Sequence, residues 1–275
     1  MSATLAPAAR RVARFIAENP PLALALSAAE LARRIGTSDA TVVRAVQAMG
    51  YAGLPDLKRH LAESLSGTPA EAMRQTLAET SASAARAVDL AIDTQREAVE
   101  ALAGAEARAT LFAAVAALHP LRRILVFGIG PSAALAGYVA TLLGRTGRPA
   151  RALDASGTAL ADQMLDLGPG DGVLVLAYGR AYREVSALFA EARRLALPIV
   201  LVTDSLDHAL ARHADVVVPA RRGRNRRVAL HGATLVALEA IVLGLAALDG
   251  PRAVASLDRL NDLRAAIAGT RHDVG

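Results

Sequence analysis

The chain has no cysteine and no tryptophan, only four tyrosines and four phenylalanines among 275 residues, and a single lysine, Lys58. Without cysteine there can be no disulfide, no thiolate zinc site and no thiol catalysis, and the composition suits a reducing compartment, the cytoplasm. With aromatics at 3%, the core must be built from Ala, Leu and Val, which a hydrophobic share of 53% supplies. The N-terminus MSATLAPAARRVARF lacks the apolar run of a secretory leader. The most apolar long segment, Ala233–Leu248, is interrupted by Glu239 and is short for a bilayer. It reads as a buried helix, and no membrane partner is expected. The six histidines are scattered, so neither a metal site nor a cofactor is expected.

What is abundant is arginine. Basic residues number 31 against 26 acidic ones, a net charge of +5. That balance permits nucleic acid or a small anion as partner without choosing between them. The length suits two domains. Residues 1–68 read as short helices separated by turn signals, 69–104 as a helical linker, 105–250 as a second domain and 251–275 as a C-terminal tail. From Leu121 onward, short β-rich runs alternate with helical stretches: Ile124–Phe127, Arg151–Leu153, Val173–Ala177, Ile199–Thr203 and Val216–Val218. Helices are expected near 132–144, 158–166, 182–196, 206–213 and 231–248. This alternation predicts a layered α/β domain of parallel strands, with ligands beyond the strands' carboxyl ends.

Within LSAAELARRIGTSDATVVRAVQAMGYAG, a helix over Ala28–Ile35 stops at Gly36, and Thr37 or Ser38 can cap a second helix, Asp39–Met49. Val42, Val43, Val46 and Met49 fall on its inner face. Ala40, Thr41, Arg44 and Gln47 fall outside. Two helices about a glycine turn make a helix-turn-helix, or else a plain αα corner. In the first case Thr37, Ser38, Ala40, Thr41, Arg44 and Gln47 face double-stranded DNA, and Arg44 reaches a guanine edge or a phosphate. Lys58, Arg59 and His60 on the next helix are weaker candidates for backbone contacts.

Two loops carry the ligand chemistry. FGIGPSAALAG, residues 127–137, places Gly128 and Gly130 in a tight turn and Ser132 at a helix start, where amides favour an anion. Gly128, Gly130 and Ala133 also fit a dinucleotide fingerprint, with Asp154 near the ribose-binding position. LAYGRAYREV, residues 176–185, contributes Tyr178, Gly179 and Arg180. His231, opening the last helix, is a further candidate. Five arginines crowd residues 221–227, reading as a solvated loop, an anion lid or a subunit interface.

The ordered set Glu30-Leu31-Ala32, Gly36-Thr37-Ser38, Ala40-Thr41-Val42-Val43-Arg44, Gly50-Tyr51-Ala52-Gly53 and Leu57-Lys58 with Leu61 resembles the N-terminal module of RpiR-type bacterial transcription regulators. The resemblance implies an all-α DNA-binding domain followed by a three-layer α/β sugar isomerase (SIS) domain with a five-stranded parallel sheet, often sensing a phosphosugar. Gly128-Ile129-Gly130-Pro131-Ser132 matches the SIS G-x-G-x-S loop, whose serine caps the helix while binding phosphate or hydroxyl groups. The second loop departs from the S-x-S-G-x-T pattern. Its hydroxyls are gone apart from the phenols of Tyr178 and Tyr182, so Arg180 either replaces them, or the site takes another acid, or nothing. Two competitors remain. An NAD(H)-sensing repressor needs a winged helix, but Leu57–Leu61 continues as helix. An SIS isomerase needs a base, for which Glu184 and His231 are candidates, although Glu184 reads as pairing with a neighbouring arginine on its helix surface. The expected protein is a non-enzymatic regulator with no catalytic residue, binding operator DNA and a small anionic metabolite. A homodimer or dimer of dimers is expected, because one recognition helix reads too few bases.

Overall fold

The computed structural model describes residues 7–65, 68–179, 182–204, 210–224 and 227–268. These form two compact units, 1–87 with 225–228, and 88–224 with 229–275.

The first unit is helical: α1 (Pro7–Glu18), α2 (Pro20–Ala25), α3 (Ala28–Ile35), α4 (Asp39–Ala48), α5 (Leu54–Leu65) and α6 (Pro69–Glu79). Its core joins Val12 and Ile16 of α1 to Leu31 of α3, Val42, Ala45 and Val46 of α4, and Leu57 of α5. α3 starts with a capping box. Ser27 accepts from Glu30 N–H while Glu30 accepts from Ser27 N–H (2.7 Å), which satisfies two orphan amides. The Glu30 carboxyl is held below its ordinary range first by the Ser27 hydroxyl, which donates to Glu30 Oε2 (2.6 Å), and then by the Ser27 N–H. Gly36, at φ 70°, ends α3 in the left-handed conformation that glycine adopts without strain. Arg227 belongs to this unit. It pairs with Glu79 and donates to Gln75 Oε1 (3.1 Å), and Val228 N–H donates to Thr76 Oγ1 (3.1 Å).

α7 (Ala84–Leu102) leads into the second unit, which continues with α8 (Ala105–Leu118), β1 (Arg123–Gly128), α9 (Pro131–Arg145), β2 (Ala150–Leu153), α10 (Ala159–Met164), β3 (Asp171–Leu176), α11 (Arg183–Arg194), β4 (Ile199–Thr203), β5 (Val216–Pro219), α12 (Gly232–Leu248) and α13 (Gly250–Ala268). All strand pairs are parallel, in the order β2-β1-β3-β4-β5. Alternate residues feed opposite faces, as the two-residue pleat requires. Ile124, Val126, Leu174, Leu176, Val200 and Val202 pack with α8, α9 and α12, and Leu125, Phe127, Val173, Val175, Ile199 and Leu201 pack with α10 and α11. The result is the expected three-layer α/β domain on a five-stranded parallel sheet.

The apolar segment after Ala233 is indeed a buried helix, with Ala237, Leu238, Ile241 and Leu245 at most 1% exposed. Among the described residues no single helix is long and apolar enough to cross a membrane. Two readings of local structure change. Residues 251–268, expected as tail, are helical as α13, a 19-residue element that buries only Ala253. The helix expected over 206–213 appears, within its described part, as a 3-10 turn, Ala211–His213. At the amino ends of the central strands, buried Asp171 accepts from Arg122 Nη2 (2.6 Å), Arg123 Nε (3.2 Å), Arg123 Nη2 (2.7 Å) and Gly168 N–H (3.1 Å). That charge is fully compensated, as burial demands.

Candidate functional site

The helix-turn-helix face is built by α4. Ser38 is its N-cap and accepts from Thr41 N–H (3.2 Å), while its hydroxyl also meets Thr41 Oγ1 (2.8 Å). Val42, Ala45 and Val46 are buried, which fixes the helix's rotation. Ala45 was not expected there, since its small side chain carries little hydrophobic signal. Val43 and Met49 are only half-buried. Ser38, Ala40, Arg44 and Gln47 are exposed, and Thr37 and Thr41 are half-buried. Among the described residues Arg44 has no carboxylate partner. Lys58 is half-buried, and the side chains of Arg59 and His60 lie outside the described set. Replacing Ser38 with Ala should cost about 1 kcal/mol, read as a lower urea midpoint of the helical unit by circular dichroism.

In the second unit the first loop leaves β1 at Gly128. Gly130, at φ 61°, is the N-cap of α9, and Pro131 opens the helix. Ser132 is therefore not the cap. It lies inside the first turn, 5% exposed, and its hydroxyl has no hydrogen-bond partner among the described residues. Pro131 occupies the first helical position comfortably because its missing N–H would be an orphan there anyway. That moves the cap two residues upstream of the serine.

The second loop leaves β3 through Ala177 and Tyr178, both buried, to Gly179 at φ 67°. The Tyr178 phenol is already engaged, 2.8 Å from Thr234 Oγ1 in α12. Burial pushes its pKa well up, so it stays a neutral hydroxyl. Arg180 lies outside the described residues. Tyr182, whose phenol the sequence left in play, is exposed at the start of α11.

Around Tyr178 the fold assembles groups from three elements. The Arg222 guanidinium lies over its ring, 4.0 Å from the centroid, and the His231 ring meets it edge-on at 5.6 Å. Arg222 Nη2 donates to Asp204 Oδ2 (3.1 Å), just past β4. Arg222 N–H and C=O lie in the β5–α12 connection, where Leu230 N–H donates to Arg222 O (2.8 Å). Gln95 of α7 caps α12 by accepting from Ala233 N–H (2.9 Å). Among the described residues five buried side-chain atoms lack a partner, and four sit here: Gln95 Nε2, Thr203 Oγ1, Arg222 Nε and His231 Nδ1. Buried polar groups are rarely left unpaired. A cluster of four at the carboxyl ends of β4 and β5 and the start of α12 marks a place for a polar ligand or ordered water.

The arginine-rich connection is thus not simply a solvated loop. Arg222 pairs with Asp204, Arg224 with Glu97 (3.5 Å) and Arg227 with Glu79. Arg226 lies outside the described residues. The acids named for the two competing readings both have partners. Asp154 accepts from Gln163 Nε2 (2.6 Å), so the ribose-binding acid is already engaged. Glu184 accepts from Gly157 N–H (3.4 Å) in place of the expected arginine. Sequence reasoning missed Gln95, Thr203, Asp204 and Thr234. Only the position of Thr203 and Asp204 at a strand's carboxyl end could have flagged any of them.

Burial first, and then the Arg222 charge, lower the His231 pKa from 6.5. The neutral imidazole is favoured in the fold, so its contribution to stability is complete above that pH and drains as the pH falls through the lowered folded value. His231→Gln should flatten this part of the pH dependence, seen as a smaller loss of urea midpoint between about pH 7 and pH 5 than in the unchanged chain.

Residues 1–68 match the family model described as a helix-turn-helix domain, rpiR family, and residues 117–247 match the SIS domain. The chain is 28% identical, over 76% of its length and 75% of the relative's, to YfhH of Escherichia coli K12, described as an uncharacterized HTH-type transcriptional regulator. A similarly described regulator of Caldanaerobacter subterraneus, TTE0211, is 24% identical over 78% of this chain and 76% of its own. Among solved structures, the sugar isomerase domain of an RpiR transcription factor from Sphaerobacter thermophilus aligns at TM-score 0.56 and 25% identity, covering 62% of this chain and 96% of that one. The Vibrio vulnificus NanR protein, complexed with ManNAc-6P, aligns at TM-score 0.53 and 24% identity, covering 96% of this chain and 94% of its own.

Proposed function

Because the chain belongs to the RpiR family of helix-turn-helix transcriptional regulators with a SIS domain, we propose that it reads operator DNA with α4 and adjusts that binding to a small acidic metabolite held at the carboxyl edge of its sheet. The observation that carries the reading is the exposed face of α4. Ser38, Ala40, Arg44 and Gln47, with half-buried Thr41 between them, offer small and hydrogen-bonding groups on a helix whose rotation the core has fixed. That is what a major-groove reader needs. The ligand site takes Gly128, Gly130 and Ser132 from the first loop, Gly179 from the second, and His231 beside them. Tyr178 serves as its wall, not as a hydroxyl donor. NanR's phosphosugar complex supports a phosphosugar or a related acid as the effector. The chain acts in the cytoplasm as a homodimer or dimer of dimers and has no catalytic role.

Selection of bound duplexes from random DNA by the full chain should enrich a motif with two-fold symmetry, since paired recognition helices read paired half-sites. Failure to enrich any sequence would remove the DNA-reading role. Sedimentation showing one chain per selected duplex would remove the paired arrangement while leaving that role intact.

A further inference from the structure

We infer that the metabolite sensed by the second unit carries a carboxylate, gripped side-on by Nε and Nη2 of Arg222, and that Asp204 occupies half of that fork until the metabolite arrives. The inference rests on the reading that this unit senses a small acidic molecule, and it names the acid's chemical class.

The fork itself is the first argument. Nε and Nη2 lie on one edge of the planar guanidinium, spaced to meet both oxygens of one carboxylate. The same unit holds a completed example. Arg123 gives Nε (3.2 Å) and Nη2 (2.7 Å) to the two oxygens of Asp171. Arg222 gives only Nη2 to Asp204, at 3.1 Å, and its Nε is buried without a partner. The fork is also held in place. It lies 4.0 Å from the centroid of the Tyr178 ring, and Tyr178 is tied to Thr234. A buried, oriented and half-used fork is pre-organised for a second oxygen that Asp204 does not supply. The Asp204 side chain is 33% exposed and can turn out to water when displaced.

Among the described groups beside the Arg222 fork, the balance favours carboxylate over phosphate. Ala177 and Gly179 bring no hydroxyl to the second loop, and the Tyr178 phenol is engaged. Arg222 and Asp204 cancel each other's charge, and burial favours neutral His231. A phosphate dianion would enter with two charges to compensate, whereas a carboxylate that replaces Asp204 at the fork brings one. The other orphaned groups, Thr203 Oγ1, Gln95 Nε2 and His231 Nδ1, suit hydroxyls on the rest of the molecule. A polyhydroxylated acid of the aldonate or uronate kind meets all of these demands.

Calorimetric titration of the full chain with gluconate, glucuronate, glucose 6-phosphate and inorganic phosphate tests this. At least one of the two sugar acids should bind, and more tightly than either phosphate compound. Arg222→Lys keeps the charge but loses the fork, and should weaken acid binding about 10-fold or more. Asp204→Asn removes the competing carboxylate and should tighten acid binding several-fold. Binding of glucose 6-phosphate but neither acid overturns the carboxylate assignment and leaves small-ligand sensing standing. So does acid binding that Asp204→Asn leaves unchanged, a result that decides the matter even if Arg222→Lys does not fold. Silence from all four compounds also overturns the sugar-acid assignment. If a wider metabolite panel then fails to raise the melting temperature, the sensing role falls with it.

Discussion

Gly128→Ala should lower the melting temperature of the second unit by about 6–12 °C, while Gly137→Ala, nine residues on, should raise it slightly. A methyl group on Gly128 would sit 2.5 Å from the Ser132 carbonyl oxygen, 2.6 Å from its carbonyl carbon and 2.8 Å from its Cβ. No flexible side-chain tip is involved, so backbone must move. β1 is hydrogen-bonded to β2 on one side and β3 on the other, so the start of α9 is what yields. Displacing it disturbs the packing of Ala136, Val139 and Leu143, all fully buried. Overpacking costs about 1–3 kcal/mol, with contact against fixed backbone at the upper end, about 3, and each kcal/mol moves the melting temperature by about 2–4 °C in a domain of this size. Gly137 lies inside α9 with no atom within 4 Å of the added carbon. There alanine gains about 0.5–1 kcal/mol of helix propensity. Scanning calorimetry of the two variants reads the opposite signs directly. Equal melting temperatures would mean that α9 is free to slide over β1.

The same contact explains what the sequence could and could not disclose. FGIGPS announced a tight strand-to-helix turn, since Gly128 and Gly130 permit conformations that other residues resist and Pro131 fixes its own φ at a value a helix start accepts. The helix-turn-helix was readable for the same reason: Gly36 and Ser38 act within a few residues of where they stand. The β-rich runs marked all five strands, because alternate burial on two apolar faces leaves near-continuous Val, Ile and Leu. The strand order was not readable, because pairing joins residues far apart in the chain. Nor was the polar cluster. Tyr178 meets Thr234 across 56 positions, and Gln95 meets Ala233 across 138. No local pattern says that the phenol of Tyr178 is engaged or that Asp204 faces Arg222. The arginine-rich connection misled for a related reason. Charge crowding suggested solvation, while the acids that neutralise Arg222 and Arg227 came from β4's end and from α6.

Arg44→Ala should weaken binding to the selected operator by about 5- to 150-fold, the loss that 1–3 kcal/mol represents, with no change in melting temperature. The fold is indifferent to this side chain. Arg44 is exposed, and Val42, Ala45 and Val46 hold α4 without it. The loss therefore reports on DNA alone. Its pattern tells which part of DNA Arg44 meets. If the guanidinium grips a base edge, the variant loses discrimination at one base pair of each half-site and keeps most of its salt dependence. If it meets a phosphate, binding weakens on every sequence alike, and the slope of log affinity against log salt falls by about one per site. Fluorescence anisotropy on the operator and on single-base variants, across a salt series, separates the two. We expect the base. Ala40 and Thr41 are the residues one turn before Arg44, small enough to let the helix sink into the groove, and Gln47 one turn later is exposed beside it. Unchanged affinity in the variant would take Arg44 out of the interface and leave Gln47 and the capped start of α4 to read the operator.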